Sequence, residues 1–346
     1  MQKIPQEIIE LAERLTLHHP RLSIVPDTDE YPWFIRELQR QLQALESRKE
    51  LLLPNIRNNN DSVAVFSDYG GESADSKYHT YSFLVCAWNQ TGYFNQEMEK
   101  LRNSNGLNDP FKEITFKDFR YGPIKRSLDK YLANLSNFVN GYLFTVVVEK
   151  TLGSIFGSDS KETSKHLVET FKDNGLGSWK PQVAEKLLRI THFSSYLVAL
   201  LSRKGQKVVW MTDHDSIAPN SNRFTDTLNL FSNLLNHYCP HELSTIGGAV
   251  PFEEKSPMFL DLLSSTDIVA GSIEHYMTRS NDIDGEPEIK EEVDKVLCWL
   301  TGQGISLKKH TMFIRKQDEG MVSGTLQFNL KEPDPEAIFV PVIVKK

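Results

Sequence analysis

The chain has 346 residues, of which 39% are hydrophobic and 25% charged, which is ordinary for a globular protein and excludes wholesale disorder. This length suffices for one large domain or two small ones. The formal net charge of -7 argues against a protein that merely coats nucleic acid, because such proteins are usually basic. It argues less against a metal-dependent nuclease, since carboxylates that hold cations add negative charge themselves.

The cysteines and the apolar runs indicate the compartment. Cys86, Cys239 and Cys298 are far apart and odd in number, which predicts reduced thiols rather than a disulfide framework or a zinc site. The N-terminus has no apolar run of the signal-peptide type, and no stretch reaches the roughly 20 apolar residues of a membrane-spanning helix. We therefore expect a cytoplasmic protein with no membrane partner.

The N-terminal segment, residues 1–60, has the apolar spacing of helices. This spacing predicts helices over 5–19 and 31–50, and the polar run 54–61 predicts a linker and a domain boundary. We expect these helices to pack outside the sheet, on the main domain or on a protein partner.

The rest of the chain alternates between strand and helix patterns. Strands are predicted over 63–66 (followed by a turn at 67–71), 78–88, 114–116, 141–148, 207–212 and 243–250. Helices are predicted over 123–139, 161–203 with a break at 175–177, 224–238, 257–279 and 291–300. An acidic surface loop is predicted over 280–292, and β hairpins or irregular structure over 312–344.

This order predicts an α/β fold, a mixed sheet flanked by helices. We expect a main domain over residues 61–280 and a β-rich C-terminal extension over 281–346. The sequence contains no GxGxxG or GxxxxGK[ST] phosphate loop, so dinucleotide-binding and P-loop folds are disfavoured.

Four aspartates lie where folding does not require a polar group. Asp68 and Asp213 each follow an apolar strand, and Asp215 would share a face with Asp213 if that strand continued. Asp267 lies on an apolar helix face, where a carboxylate is costly unless it is paired, protonated or bound to metal. We expect Asp68 and Asp213 to lie at the same end of adjacent strands.

Oxygen ligands of this kind suit hard cations. Mg²⁺ typically takes one or two carboxylates together with substrate phosphate oxygens, and paired ions can activate water for phosphodiester cleavage. The aspartates predict a Mg²⁺ or Mn²⁺ site acting on nucleic acid. Turn formation and helix capping explain single aspartates at strand ends equally well.

Other polar groups are better explained by structure than by chemistry. The isolated His79, His192 and His214 are more typical of structural or surface histidines than of metal ligands. A basic patch, comprising residues 308–310 and 315–316, could contact phosphate, although most such patches are simply solvated.

The order of these motifs resembles the domain-of-unknown-function family numbered 3800, in the ribonuclease H-like superfamily. The shared features are Ser67-Asp68-Tyr69-Gly70-Gly71-Glu72 after the first strand, Asp213 after a later one, and the segments Lys255–Leu260 and Ser265–Gly271 of the late helix. The similarity spans about residues 62–280. It implies a ribonuclease H-like sheet, with Asp68, Asp213 and Asp267 as the acidic cluster.

The chain departs from the family pattern at the first motif. The family commonly has Glu directly after the first Asp, where this chain has Tyr69, and Glu72 is the candidate to replace it. Two functions follow. The first is a metal-dependent nuclease, with Asp68, Asp213, Asp267 and Glu72 catalytic and Asp215 as a further metal ligand. The alternative is a catalytically inactive interaction subunit of a larger complex, for example in a bacterial defence or mobile-element system.

Overall fold

The computed structural model describes residues 12, 15–109, 112–157, 160–213, 215–249, 256–280, 289–318 and 320–329. Its centre is a seven-stranded mixed sheet in the order β5-β4-β1-β2-β3-β6-β7. Strands β1, β2 and β3 form an antiparallel meander, β4 and β5 continue it in parallel with β1, and β6 pairs in parallel with β3. The predicted mixed α/β sheet is confirmed.

The strands are β1 (Ser62–Gly70), β2 (Tyr78–Ala87), β3 (Gly141–Glu149), β4 (Lys207–Thr212), β5 (Thr245–Ala249), β6 (Leu307–Gln317) and β7 (Gly320–Thr325). The helices are α1 (Trp33–Ser47), α2 (Gly92–Asn105), α3 (Gly122–Phe138), α4 (Ser160–Asp173), α5 (Pro181–Leu201), α6 (Ser221–Tyr238), α7 (Pro257–Ser280) and α8 (Glu291–Thr301). None of the described helices is long and apolar enough to cross a membrane.

Helices cover both faces of the sheet, which explains why its central strands are almost continuously apolar. Alternate residues of β1 enter separate cores: Val63 and Val65 pack beneath α1, α4, α5 and α6, whereas Ala64 and Phe66 pack beneath α2, α3, α7 and α8. We call these the α5 face and the α7 face. Every residue from Gly141 to Val148 is buried, as expected for a strand covered on both sides.

Most elements match their predicted positions, and the differences have physical reasons. β1 continues to Gly70 because residues 68–70 remain paired with β2, so Asp68 lies within the strand and not in a turn. The strand predicted over 114–116 is wrong: the segment leads into a single helical turn, Phe116–Asp118. Helix α2 was missed, although Phe94, Met98 and Leu101 have helical spacing.

The N-terminal segment agrees in part with its prediction. Helix α1 packs in the core of the α5 face and approaches β7, where Gln41 Nε2 lies 3.1 Å from Ser323 Oγ. The helix predicted over 5–19 falls largely on residues outside those described, and Leu17 forms an isolated bridge with Pro54. In the part of this segment that the structure describes, no strand enters the sheet.

A buried ion pair fixes the segment that precedes α3. Arg102 Nε donates to both carboxylate oxygens of Asp261 on α7 at 3.0 Å, and the two residues are 6% and 2% exposed. Arg102 Nη1 also donates to the carbonyls of Leu107 at 3.1 Å and Lys112 at 2.9 Å. This guanidinium therefore ties α2, α7 and the segment 107–116 together.

We expect Arg102→Met to lower the free energy of unfolding by about 3–5 kcal/mol, because it leaves Asp261 buried without its counterion. Adding Asp261→Leu should recover part of the loss, since the orphaned charge is then removed. Urea unfolding of the single and double variants checks this. Arg126→Met, at an exposed position on α3, is the control. An equal loss of unfolding free energy in Arg102→Met and Arg126→Met would contradict the prediction.

Candidate functional site

Strand pairing brings Asp68 and Asp213 together. Strands β1 and β4 are parallel neighbours, Ser67 lies opposite Thr212, and the Asp213 N–H donates to the Ser67 carbonyl at 3.4 Å. Side chains alternate along a strand, so Asp68 points to the same α7 face as Phe66. The expectation that the two aspartates lie at the same end of adjacent strands is confirmed.

Helix α7 brings Asp267 to the same place. It crosses β1 and β2, where the Thr80 hydroxyl donates to the Ala270 carbonyl at 3.0 Å, one turn beyond Asp267. Gly70 permits this close approach, because a Cβ there would lie 2.5 Å from the Thr80 hydroxyl oxygen and 3.4 Å from the Ala270 carbonyl oxygen. Asp267 is half-buried, and its charge is the largest of those that raise the pKa of Asp68, so the two carboxylates are close.

A backbone hydrogen bond orients Asp267. The Phe116 N–H donates to Asp267 Oδ2 at 2.7 Å. The Phe116 ring packs against Gly271, where a Cβ would lie 2.4 Å from the ring. The segment held by Arg102 therefore fixes one oxygen of this carboxylate.

The same segment contributes Glu113, which sequence reasoning missed. Its side chain is half-buried, and burial together with the charges of Asp213 and Asp267 raises its pKa to about 7. Local sequence carries little signal for Glu113, since residues 112–115 around it form neither helix nor strand. Its place near the aspartates depends on the tertiary packing.

The acidic cluster, defined as Asp68, Glu113, Asp213 and Asp267, concentrates negative charge in a partly desolvated place. Burial, followed by the charges of Asp267 and Asp213, raises the pKa of Asp68 well above its usual range. Burial also raises the pKa of Asp267 to about 6, and the hydrogen bond from Phe116 opposes this rise. Among the described residues, no Lys or Arg lies within the 4.0 Å ion-pair distance of Asp68 or Asp267. Within the described part of the chain, these two carboxylates therefore have no counterion.

Asp215 and Glu72 are paired with a lysine, although the charge of Asp215 is near enough to help raise the pKa of Asp68. The strand ends at Thr212, and Asp215 instead accepts hydrogen bonds from Lys186 of α5 and from the Ile217 N–H, the latter at 2.8 Å. Glu72 is exposed and pairs with the same Lys186 ammonium. Both carboxylates are thus neutralised by a cation that belongs to the α5 face.

Tyr69 lies on the opposite side of the strand from the acidic cluster. Its hydroxyl is 2.6 Å from the Ser67 hydroxyl and 3.0 Å from that of Thr212, and Lys186 lies 4.8 Å from its ring centre. These contacts hold it on the α5 face. Tyr69 therefore adds no carboxylate to the cluster, and Glu113 lies instead near Asp213 and Asp267.

The carboxylates and histidines near the acidic cluster are the side chains that could hold a metal ion. Among the residues that the structure describes, no group of three or more His, Cys, Asp or Glu side chains is arranged so that it could hold a metal ion. Neither His79 nor His192 adds to the cluster: His79 lies on the α5 face, and His192 bonds the Tyr238 hydroxyl at 2.8 Å. His214 lies outside the described residues. The lack of counterions at Asp68 and Asp267 still suits a cation.

The two parts of the basic patch differ: Arg315 and Lys316 are exposed, whereas Lys308 and Lys309 are buried. Lys308 and Lys309 are 5% and 7% exposed, and both ammonium groups donate to backbone carbonyls. Burial lowers the pKa of Lys308 to about 8 and, with the charge of Lys308, that of Lys309 to about 7. This part of the patch is structural, because β6 pairs with β3 and carries it into the sheet.

The similarity of this chain to known proteins is weak. No protein-family model and no curated protein matches the chain. One similar solved structure is that of the ribonuclease H2 from Pyrococcus horikoshii OT3, with a TM-score of 0.31 and 14% identity, covering 69% of this chain and 85% of that one. Membership of family 3800 stays a prediction.

The raised pKa values predict how stability depends on pH. A folded protein whose carboxyl has a pKa of about 6, against an ordinary 3.8, binds protons more tightly than the unfolded chain, so its stability falls as pH rises through that interval. We expect the free energy of unfolding, measured in a chelator, to fall between about pH 4 and pH 6. Asp267→Asn should flatten this fall.

Urea unfolding at a series of pH values measures the effect. The exposed Asp75→Asn is the matched control and should retain the pH dependence of the wild type. Curves of the same slope for the wild type and Asp267→Asn would contradict the prediction.

Proposed function

We propose that this chain is a metal-dependent nuclease that hydrolyses phosphodiester bonds in nucleic acid, with Mg²⁺ or Mn²⁺ held by Asp68, Asp213 and Asp267. The observation that carries the proposal is the approach of these carboxylates on one face, at the ends of β1 and β4, where the described residues supply no counterion to Asp68 or Asp267. A divalent cation there would supply neutralising charge and a water of lowered pKa.

The residues of the site take different parts in this reaction. Asp68 and Asp213 are fixed by strand pairing, and Asp267 is oriented by the Phe116 N–H. Glu113, with a pKa of about 7, accepts the proton of the attacking water, since proton transfer is most efficient when the pKa is near the working pH. The water oxygen forms the new bond to phosphorus, the ester P–O bond breaks, and solvent protonates the leaving oxygen.

Asp215 and Glu72 have an indirect part in this proposal. Their shared partner Lys186 lies over the ring of Tyr69, directly beside Asp68 in the sequence. We assign the two carboxylates to holding this lysine in place. This assignment replaces their expected parts as metal ligand and catalytic residue.

A second function is favoured by one observation. The described residues present no ready set of three metal-binding side chains, which suits a catalytically inactive subunit built on the same fold. Such a protein would bind nucleic acid or a protein partner, for example through the N-terminal helices. The two functions differ in their response to metal and in catalysis.

We expect Asp267→Asn to reduce metal-dependent cleavage by at least about 100-fold, which corresponds to roughly 2.7 kcal/mol of barrier. Asparagine keeps the shape of the side chain but lacks the charge that holds a divalent ion. The fold should survive, because removing an unpaired buried charge does not destabilise. Cleavage of labelled DNA and RNA in Mg²⁺ and in Mn²⁺, together with circular dichroism, measures both effects.

The controls separate the nuclease from the inactive subunit. Asp75→Asn should cleave like the wild type. A folded wild-type protein that cleaves neither polymer, and whose melting temperature is the same with and without millimolar Mn²⁺, would overturn the nuclease and support the interaction subunit.

A further inference from the structure

A large cavity lies behind the acidic cluster, on the α5 face of the sheet. Its volume is about 1080 Å³. It is bounded by the ends of β1 and β3, by the start of β2 and by helices α4 and α5. Tyr69, the neighbour of Asp68, lines it, so the cluster and the cavity lie on opposite sides of the same strand end.

The cavity is basic, although the chain as a whole is acidic. It is lined by five cationic side chains and three carboxylates, namely Lys150, Lys161, Lys165, Lys186 and Arg189, and Glu72, Glu169 and Glu185. Burial, followed by the charges of Arg189, Lys150 and Lys186, lowers the pKa of His79 in the same wall to about 4. The wall therefore carries a positive field that is felt inside the protein.

Some of these cationic side chains are held by carboxylates, and others can contact a phosphate. Lys186 is held by Glu72 and Asp215, whereas the exposed Lys165 lies 3.9 Å from Glu169, a weak surface pair that leaves its ammonium able to contact a phosphate. Lys150 donates to the Ser73 carbonyl at 2.7 Å and, within the described residues, has no carboxylate within 4.0 Å. Its half-buried ammonium is thus a free positive charge at the cavity wall.

Two further donors face the same space. Arg189 is 4% exposed and lines the cavity; its Nη2 pairs with Glu185, whereas its Nε has no hydrogen-bond partner among the described residues. Helix α5 begins at the cavity with Pro181 and Gln182 and has no side-chain N-cap, so the positive end of its dipole is open to an anion. A buried guanidinium, a free lysine and a helix N-terminus therefore converge.

We infer that this cavity binds phosphate groups, and that its occupant is a single strand of nucleic acid whose backbone passes around the end of β1. The choice of a nucleic-acid strand rests on the proposed function, whereas the phosphate chemistry rests on the cavity alone. Free nucleotides carry the same phosphate chemistry and are the other source. The volume admits more than one phosphate group.

The test measures binding without cleavage. A fluorescein-labelled 12-nucleotide single strand of DNA is titrated with the full chain in EDTA, at several salt concentrations, with fluorescence anisotropy as the readout. The double variant Lys150→Gln/Lys165→Gln should bind roughly tenfold more weakly at low salt, and its salt dependence should be shallower by about 1.4, for two lost phosphate contacts. Lys172→Gln, at an exposed position on α4 away from the cavity, should bind like the wild type.

Competition identifies the source of the phosphate. Displacement of the strand by ATP and by inorganic pyrophosphate at similar concentrations, lost in the double variant, would support a site for free nucleotides. Displacement only by unlabelled strand would support the nucleic-acid backbone. Equal affinity and equal salt dependence for the double variant and Lys172→Gln, with both proteins folded by circular dichroism, would overturn the inference.

The binding experiment and the cleavage experiment can fail independently of each other. A protein that binds the strand in EDTA through these lysines but never cleaves it would refute the nuclease and retain the cavity as a phosphate site. A protein that cleaves in Mg²⁺ while the double variant binds normally would refute the phosphate site alone.

Discussion

The parallel pairing of β1 with β4 is the constraint on which the candidate site depends. It places Asp68 beside Asp213, and because side chains alternate, it sends both to the α7 face while Tyr69 and Thr212 go to the α5 face. Helix α7 can reach this point because Gly70 and Gly271 leave room for Ala270 and Phe116. A larger residue at either glycine would push α7 away from its neighbours, and Asp267 could then not approach Asp68.

The two faces of the sheet at the end of β1 differ in whether their charged groups are paired. On the α7 face, carboxylates meet and none of the residues that the structure describes is a counterion of Asp68 or Asp267, whereas on the α5 face Lys186 and Arg189 are bound to Asp215 and Glu185. An uncompensated half-buried carboxylate lowers stability, so its retention is more readily explained by function than by folding. The paired groups of the α5 face have a sufficient structural reason to be there.

Much of the architecture could be predicted from the sequence because its signals are local. The apolar runs of β1, β3 and β4 and the apolar spacing of α3 and α7 depend on neighbours a few residues away. The sequence also indicated three of the four clustered carboxylates, since each stands out against an apolar element. Glu113 could not be found this way: Arg102 and Phe116 place it through contacts with α7, and no local pattern records such contacts. For the same reason, the ion pair of Lys186 with Asp215 was not foreseen.

The four clustered carboxylates are far apart in the sequence, which determines when the cluster forms during folding. They come from residue 68 in the first strand, residue 113 in a connecting segment, residue 213 after the fourth strand and residue 267 in the seventh helix. Contacts between such distant parts of a chain form late, because the entropy of closing long loops must be overcome first. The cluster is therefore assembled only once α7 has docked, and a nascent or truncated chain that ends before residue 267 lacks it. Whatever chemistry the cluster performs is withheld until synthesis has passed that helix.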